Sequence, residues 1–449
     1  MLSKFFEKRV ADFINSRHLL SRDVVQLVAL SGGADSVALL RVLLSLDYRV
    51  EAVHCNFLLR GEESYRDEQF VKDLCESLNV PLHLIHFDTK EYASLHQVSI
   101  EIAARQLRYR YFGQLRADIG AQRICVAHHR DDAVETLLMN LLRGSGIHGL
   151  TGIRERNGDV VRPLLCVSRQ DILCYLEQAG LSYVTDSTNL EPDVLRNKIR
   201  LQVLPLLNSL TPAAAEAIDK TASYLAEAER VYNDAIRQQS EQVLRRGGGD
   251  AGADEIRLAE LMKVPSPECL LHELLVPYGF PSAVSDQLAR ALPDVRVGSV
   301  FLSATHRMAV DRQRLLIEEL TPEMWPLVIP ETGTYVLSDG RRLRVEIVQS
   351  PSVSRSADVA SLDAAKVRFP LTFRPVVPGD RFVPYGMKKG SRLVSDYLTD
   401  RKRSVLAKLH QTVVADATGA VAWLVGERTD QRFCVDHQTV STLLLSVVP

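Results

Sequence analysis

The stretch Leu27-Val28-Ala29-Leu30-Ser31-Gly32-Gly33-Ala34-Asp35-Ser36 decides how the first half of this chain folds. Residues 24–30 carry no charge and are mostly aliphatic or β-branched, the composition of a strand buried on both faces. From Ser36 to Leu46 apolar residues return at helical spacing. Between strand and helix, Gly32 and Gly33 allow positive φ and close backbone approach, and the N–H groups opening the helix offer partial positive charge to a phosphate. A glycine pair alone is more often an ordinary connection capped by a serine such as Ser31. Six consecutive positions, Ser31 to Ser36, in a strand-turn-helix setting favour a nucleotide instead.

Outward from this loop, strands are expected at 50–54, 82–87 and 123–127, and helices at 62–79, 99–119 and 131–142. The alternation predicts an α/β fold built on a doubly wound parallel sheet, with the ligand beyond the carboxyl ends of the strands. After Pro205 the pattern changes. Thr211 is a candidate N-cap with Pro212 at the first helical position, opening an Ala- and Glu-rich helix to about Arg246. A glycine-rich loop follows at 247–252, then expected helices at 257–263, 267–277 and 283–291, and short β-like runs from 297 to 349. We therefore divide the chain into an ATP-binding catalytic domain (1–213), a mainly helical domain (214–325), a β-like connection and serine-rich linker (326–362), and a small, basic, mixed α/β C-terminal domain (363–449).

At 449 residues the chain exceeds one ordinary core. Its 46% hydrophobic and 24% charged residues exclude disordered and fibrous classes. No apolar run is long enough for a membrane span and the first residues are mixed and charged, so a cytoplasmic protein without membrane contact is expected. The seven cysteines form no C-x-x-C pair, which points to reduced thiols. A net charge of −2 conceals a basic tail: from Lys366 to Pro449 there are 13 Lys plus Arg against 7 Asp plus Glu. Such a run is either a solvated face or a docking surface for a polyanion.

The glycine loop lacks the lysine of a Walker A motif, so phosphoryl transfer on that pattern is not implied. Strand 123–127 delivers Ala127-His128-His129-Arg130-Asp131-Asp132, with Glu135 and Thr136 on the next helix. A dedicated zinc site is the weaker reading, because HExxH spacing and a cysteine ligand are both missing. Asp131 as N-cap, with Asp132 near the helix dipole, would account for this turn without chemistry. A role at the nucleotide is the alternative: Mg²⁺ bridging ATP phosphates needs only one or two protein carboxylates, here Asp35 with Asp132. On helix 99–119, Glu101, Arg105, Arg108 and Phe112 share a face. A Glu-Arg pair four residues apart stabilises a helix by only about 0.2–0.5 kcal/mol. Arg105 is better used to neutralise a departing pyrophosphate.

The pattern S-G-G-x-D-S at 31–36 resembles the PP-loop of the ATP pyrophosphatases, which have an adenine nucleotide alpha hydrolase-like fold and cut ATP between the α- and β-phosphates. A longer set of motifs narrows this: Val53-His54-Cys55-Asn56, Leu59-Arg60-Gly61-Glu62-Glu63-Ser64, Glu101 with Ala104-Arg105, Arg108-Tyr109, AHHRDD with ET, Arg143-Gly144-Ser145-Gly146, and Arg162-Pro163-Leu164. Asp186-Ser187-Thr188-Asn189, Arg196-Asn197-Lys198-Ile199-Arg200, Arg374 and Pro378-Gly379-Asp380-Arg381-Phe382 complete it. Together they resemble the tRNA(Ile)-lysidine synthetases over nearly the whole chain. Phe57 stands where that family often has a second histidine, and 401–411 matches its Arg-then-Pro segment poorly.

The resemblance implies a ligase that adenylates the C2 oxygen of the wobble cytidine in an isoleucine tRNA with a CAU anticodon, after which free L-lysine displaces AMP. It implies ATP and Mg²⁺ as cofactors. Asp35, Asp132 and Arg105 become the catalytic candidates, with Asp132 as the base and Glu135 in reserve. Ser31, Gly32, Gly33, Ala34, Asp35, Ser36, His54, Arg105 and His128 become ATP contacts. Glu101, Glu135, Arg143, Arg196, Asn197, Arg200, Lys388 and Lys389 become contacts to lysine or tRNA, and a homodimer is compatible with the chain. Three alternatives stand beside it. A tRNA thiolase would usually carry a cysteine pair, an amidotransferase-type synthetase would need a glutaminase nucleophile, and a non-catalytic nucleotide-responsive tRNA-binding protein needs only the loop and the basic tail.

Overall fold

The computed structural model describes residues 2–184, 195–249, 252–292, 294–387 and 390–448. These form two compact units, Met1–Tyr232 and Asn233–Pro449. In the first unit, β1 (Gln26–Ala29) lies between β2 (Val50–Asn56) and β4 (Ile124–Cys125), parallel to both. With β3 (Leu82–His86), β5 (Arg156–Asn157) and β6 (Val160–Val161) the sheet order is β3-β2-β1-β4-β6-β5, and only β5 is antiparallel to its neighbour. The chain winds outward from β1 to β3 and then crosses back to β4, which opens a crevice at the carboxyl ends of β1 and β4.

Helices α1 (Leu2–Ser16), α2 (Ala34–Ser45), α3 (Glu62–Ser77), α4 (Thr89–His96), α5 (Ile100–Asp118), α6 (Arg130–Leu142) and α7 (Arg169–Gln178) surround this sheet. Val28 packs with Val10 and Ile14 of α1, Val37 and Leu40 of α2, and Ile172 of α7. Its neighbour Leu27 faces the other way, toward Val53 and the α5 residues Phe112 and Leu115. Both are fully buried, as the uncharged run requires, and each such side chain contributes about 1.5–3 kcal/mol. The expected strand 123–127 narrows to β4, although Val126 N–H still bonds the Val161 carbonyl at 3.0 Å. Helices α1, α4 and α7 and the β5–β6 hairpin were not anticipated.

Beyond α7, α8 (Leu195–Lys198) runs into a wider π-helical turn, Ile199–Val203, and then into α9 (Leu204–Leu210) and α10 (Ala214–Val243). Thr211 closes α9 as its C-cap and does not open α10, because its N–H reaches back to the Leu207 carbonyl at 2.9 Å.

The second unit begins with an antiparallel sheet of β7 (Leu244–Arg245), β8 (Asp254–Arg257), β9 (Val300–Leu302), β10 (His306–Asp311) and β11 (Arg314–Glu319). Helices Pro267–Leu275 and Ser282–Ala291 cover it through Leu270, Leu271, Leu274 and Leu288 on Met308 and Ile317. The region expected to be mainly helical therefore contains a five-stranded sheet. Next come β12 (Leu327–Ile329), β13 (Gly333–Val336), β14 (Arg342–Val348), β15 (Val359–Asp363), β16 (Leu371–Pro375), β17 (Arg381–Phe382), β18 (Arg392–Leu393), β19 (Thr412–Ala415), β20 (Val421–Leu424), β21 (Arg428–Thr429) and β22 (Thr442–Val448). Sheets β12-β16-β19-β20-β21 and β13-β14-β22-β15 share a core of Ile329, Leu343, Leu362, Phe373, Trp423 and Leu445. Because β14 pairs with β22 along its whole length, segment 326–362 is part of the C-terminal fold and not a connection to it. Among the described residues, no disulfide joins any of the seven cysteines. Among the described residues, no helix is long and apolar enough to cross a membrane.

Candidate active site

The glycine turn leaves the carboxyl end of β1 and enters α2 directly. Gly32 has φ +91°, and a Cβ there would lie 3.3 Å from Val71 and 3.4 Å from Phe70, so both conformation and space call for glycine. Ser36 ties the turn together: its hydroxyl donates to the Gly33 carbonyl at 2.9 Å and accepts from Ser31 N–H at 3.2 Å. The first helical bond is Val37 N–H to Gly33 carbonyl, which leaves the N–H groups of Ala34, Asp35 and Ser36 outside the helical ladder. That is an anion cradle with the macrodipole behind it. His54 sits beneath it on β2, buried, donating from Nδ1 to the Leu30 carbonyl at 2.8 Å. Burial lowers its pKa, so it supports the turn as a neutral ring.

Asp35 begins α2 and is met from α7, whose Arg169 Nη1 donates to its Oδ2 at 2.6 Å. Its other oxygen, Oδ1, is buried without a hydrogen-bond partner, 3.8 Å from His129 Nε2. An open carboxylate oxygen beside a phosphate cradle fits a hard cation such as Mg²⁺.

The strand-end run Ala127 to Asp132 turns into α6 through a reciprocal cap. His129, not Asp131, is the N-cap: its Nδ1 accepts from Asp132 N–H at 3.4 Å, and Asp132 Oδ2 accepts from His129 N–H at 3.0 Å. Asp131 instead accepts from Arg169 N–H at 3.0 Å, at the start of α7. Asp132 Oδ1 takes Arg196 Nη2 at 2.9 Å and Arg200 Nη2 at 3.3 Å. Glu135, one turn on and 1% exposed, takes Arg196 Nε at 2.8 Å and Arg200 Nε at 2.6 Å. Arg196 and Arg200 reach the same two acids because they lie four residues apart at the junction of α8 with the π-helical turn.

Burial works against the ionised form of Asp132, but His129 and Arg196 outweigh it and hold this carboxyl below its usual range. That disfavours the expected role of Asp132 as a base. With both oxygens already engaged, it is also a poorer Mg²⁺ ligand than Asp35. Arg200 is shifted the other way: burial lowers its pKa, and the bonds to Glu135 more than restore it.

His128 points from the same strand end and accepts, at Nδ1, from Arg162 Nε at 3.2 Å. Burial drives its pKa down to about 4, partly opposed by Asp132. On α5, Arg105 is exposed with its guanidinium 5.0 Å above the Tyr109 ring, and Glu101 is exposed in the first turn. Phe57 stacks on Phe87 and lies 5.1 Å beneath the Arg108 guanidinium, so this position is apolar packing.

The structure thus brings together Ser31 to Ser36, His54, His128, Asp132, Glu135, Arg196 and Arg200, with Asn197 half-buried between the two arginines. It does not bring in Arg143, which caps the far end of α6, exposed and roughly 16 Å along the helix from Asp132. Lys388, Lys389 and the D-S-T-N motif at 186–189 lie outside the described residues. Sequence reasoning missed Arg169, His129 as a cap, and the use of Arg162. A signal existed for Arg169: Ser168 and Asp171 form a capping box, which marks a helix start at the edge of the site.

Among known proteins, residues 2–207 match the family model of the PP-loop domain, and residues 250–320 that of the TilS substrate binding domain. The chain is 45% identical over 444 residues to a tRNA(Ile)-lysidine synthase of Parabacteroides distasonis, covering 97% of this chain and 98% of that one. To the protein of that name from Bacteroides thetaiotaomicron it is 43% identical over 442 residues, covering 98% and 100%. To that of Porphyromonas gingivalis it is 38% identical over 448 residues, covering 96% and 95%.

Proposed function

The chain belongs to the tRNA(Ile)-lysidine synthase family, and from that premise we propose how its residues divide the work. It is an ATP-using ligase that forms lysidine in isoleucine tRNA. In our reading, the wobble cytidine of a CAU anticodon is adenylated at its C2 oxygen, pyrophosphate leaves, and the ε-amine of free L-lysine then attacks C2 and expels AMP.

One observation carries the assignment of the amino-acid site. Asp132, Glu135, Arg196 and Arg200 form a closed set of two carboxylates and two guanidiniums at the end of β4, beside the glycine turn. Lysine brings one carboxylate and two ammonium groups, so each of its charges finds an opposite one in this set, and the single surplus positive charge is left for the nucleotide's α-phosphate. Arg196 and Arg200 would take its carboxylate, or the nucleotide's α-phosphate, and the freed acids would take its ammonium groups. Held ionised, Asp132 steers the ammonium; one proton passes from it to water to give the neutral amine, which bonds to C2 as AMP leaves with the C2 oxygen and a second proton is lost to water.

The cradle of Ala34, Asp35 and Ser36 N–H groups would hold the nucleotide phosphates. Asp35 would hold Mg²⁺, which supplies charge neutralisation on the phosphates, and the exposed Arg105 would be free to swing onto pyrophosphate. The segment 214–325 and the basic region 363–449, with Lys388 and Lys389, would grip the tRNA body. ATP, lysine and tRNA coexist in the cytoplasm, where we place the enzyme. The described site comes from one chain; a homodimer is a separate element of the proposal, tested by sedimentation at working concentration.

The deciding experiment is pyrophosphate release from ATP with lysine and isoleucine tRNA each omitted in turn, followed by mass analysis of the tRNA. Release that depends on the tRNA, and a tRNA mass gain that depends on lysine, are expected. A tRNA mass unchanged after incubation with ATP and lysine would overturn the reading.

A further inference from the structure

The motif Arg162-Pro163-Leu164 follows β6 and has no part in the chemistry above, yet its arginine is buried, at 7% exposure. Three groups hold it. Nε donates to His128 Nδ1 at 3.2 Å, Nη1 donates to the Arg154 carbonyl at 2.7 Å, and Tyr109 of α5 hydrogen-bonds to the guanidinium. Arg105 lies over that same Tyr109 ring. The arginine therefore ties together β6, the loop before β5, helix α5 and the end of β4.

A guanidinium has five N–H donors and no acceptor, so the imidazole nitrogen facing Arg162 must offer its lone pair. The ring proton of His128 then sits on Nε2. The neighbouring histidines show that this is a local choice. His54 has the opposite tautomer, since a carbonyl faces its Nδ1, whereas His129 Nδ1 accepts a backbone N–H and so also carries its proton on Nε2. We propose that Arg162 is a positioning residue that holds His128 as its Nε2–H tautomer, so that His128 meets the nucleotide as a hydrogen-bond donor and does not serve as a base.

This inference rests on the placement of ATP at the glycine turn, with His128 among its contacts. The charged groups facing the ring agree with it. Burial disfavours the imidazolium; Asp132 favours it, while Arg162, Arg196 and His129 oppose it. A neutral donor is a sensible choice here, because Arg162 already supplies positive charge and an imidazolium beside it would be repelled.

The test has two arms. In the unliganded full chain, labelled with ¹⁵N-histidine, His128 should show a protonated Nε2 and an unprotonated Nδ1 from pH 8 down to pH 5.5, assigned by the signals lost in His128→Gln. A protonated Nδ1, or titration near pH 6.5, would overturn the proposal whether or not ATP binds. The second arm measures binding of α,β-methylene ATP with Mg²⁺ to wild type and Arg162→Met. Without Arg162 nothing selects the tautomer, so the same ¹⁵N signals should show the Nδ1–H form appearing in Arg162→Met at the expense of the Nε2–H donor, while burial keeps the ring neutral.

The reduced donor population should lower affinity for the analogue by about twofold, alike at pH 8 and pH 5.5. A missing guanidinium charge or a loosened fold lowers affinity without changing the tautomer, and a ring that stays wholly Nε2–H in Arg162→Met would overturn the proposal. In a His128→Gln background, where the amide keeps a donor in the Nε2 position, Arg162→Met should lose the part of its effect that acts through the tautomer. If wild type does not bind the analogue, the placement of ATP fails instead, and the first arm still decides the tautomer.

Discussion

Arg196 and Arg200 in the first unit, and Arg401 and Arg403 in the second, both converge on a carboxylate, yet the two groups are built differently. In the first unit, two arginines share two acids whose side chains are 11% and 1% exposed, and the charges match one for one. In the second, Arg401 and Arg403 both turn to Glu427 while remaining about half exposed themselves. Similar pairs, Arg392 with Asp400 and Arg432 with Asp430, recur along the tail, whose cations still outnumber its acids. A closed, matched set gives up its bonds only to a ligand that offers equivalent ones. An open set with excess charge attracts any polyanion and weakens with salt. The first is suited to selecting a small molecule, the second to holding a nucleic acid.

The strongest way to break this contrast lies at the glycine turn. Asp35→Ala removes the open oxygen offered to the cation and releases Arg169 from its 2.6 Å bond. Pyrophosphate release should fall by about 10³-fold, the scale of losing a main electrostatic stabiliser. Filter binding of tRNA should stay within about twofold, since the polyanion contacts are assigned elsewhere. Equal loss of both activities would mean that the two regions do not divide the labour.

Glu135→Gln sharpens the same point. It leaves Arg200 Nε and Arg196 Nε facing a neutral acceptor in a buried position. Breaking a fully buried pair costs about 3–5 kcal/mol, and because these arginines are partly exposed about 2 kcal/mol is expected from urea unfolding. KM for lysine should rise about tenfold with adenylation nearly unchanged. A variant that loses adenylation but keeps its lysine KM would move Glu135 out of the amino-acid site.

The sequence was most legible where local rules and tertiary structure agree. Leu27 and Val28 are buried on opposite faces of the sheet, as an uncharged aliphatic run implies. The glycine turn is where pattern and φ both require it. Less legible was whatever depends on residues distant in sequence. Segment 326–362 looks like a connection because β14 finds its partner, β22, roughly a hundred residues later. The roles of Arg169 and Arg162 were hidden because their partners, Asp35 and His128, lie far away in sequence. The N-cap was misjudged because aspartate is the commoner cap, while here histidine closes a reciprocal pair with Asp132.

A smaller effect is expected from Glu68, a buried acid of α3 bonded to Asn56 Nδ2 at 2.8 Å, Lys72 Nζ at 2.7 Å and His86 Nε2 at 2.7 Å. Burial alone would raise its pKa; Lys72, Asn56 and His86 override this and bring it down to about 2. A folded pKa below the unfolded value means stability present above about pH 4.5 and lost as pH falls toward 2. Lys72 and His86 are nearly half exposed, so screening limits the gain to about 1 kcal/mol. Glu68→Gln should flatten the acid limb of the urea midpoint between pH 4.5 and 2.5. Parallel acid limbs in variant and wild type would place the sensitivity elsewhere.

The smallest effects, and the most direct probe of the open set, lie in the tail. Arg401 and Arg403 already spend part of their charge on Glu427, which the fold holds almost buried. A tRNA phosphate must compete with that acid, so each arginine releases less than one counterion when it is engaged. Lys402, between them in sequence, is exposed at a residue with φ +59°. Lys402→Ala should therefore reduce the slope of log affinity against log salt by about 0.7–0.9, the value for one full phosphate contact. Arg401→Ala and Arg403→Ala should each reduce it by less, with affinity falling only a few-fold. Glu427→Gln reverses the logic: it frees both arginines and should steepen the slope while tightening binding at low salt. A slope unchanged by Lys402→Ala and by Glu427→Gln alike would show that this face does not touch tRNA, and that its excess charge is merely solvated.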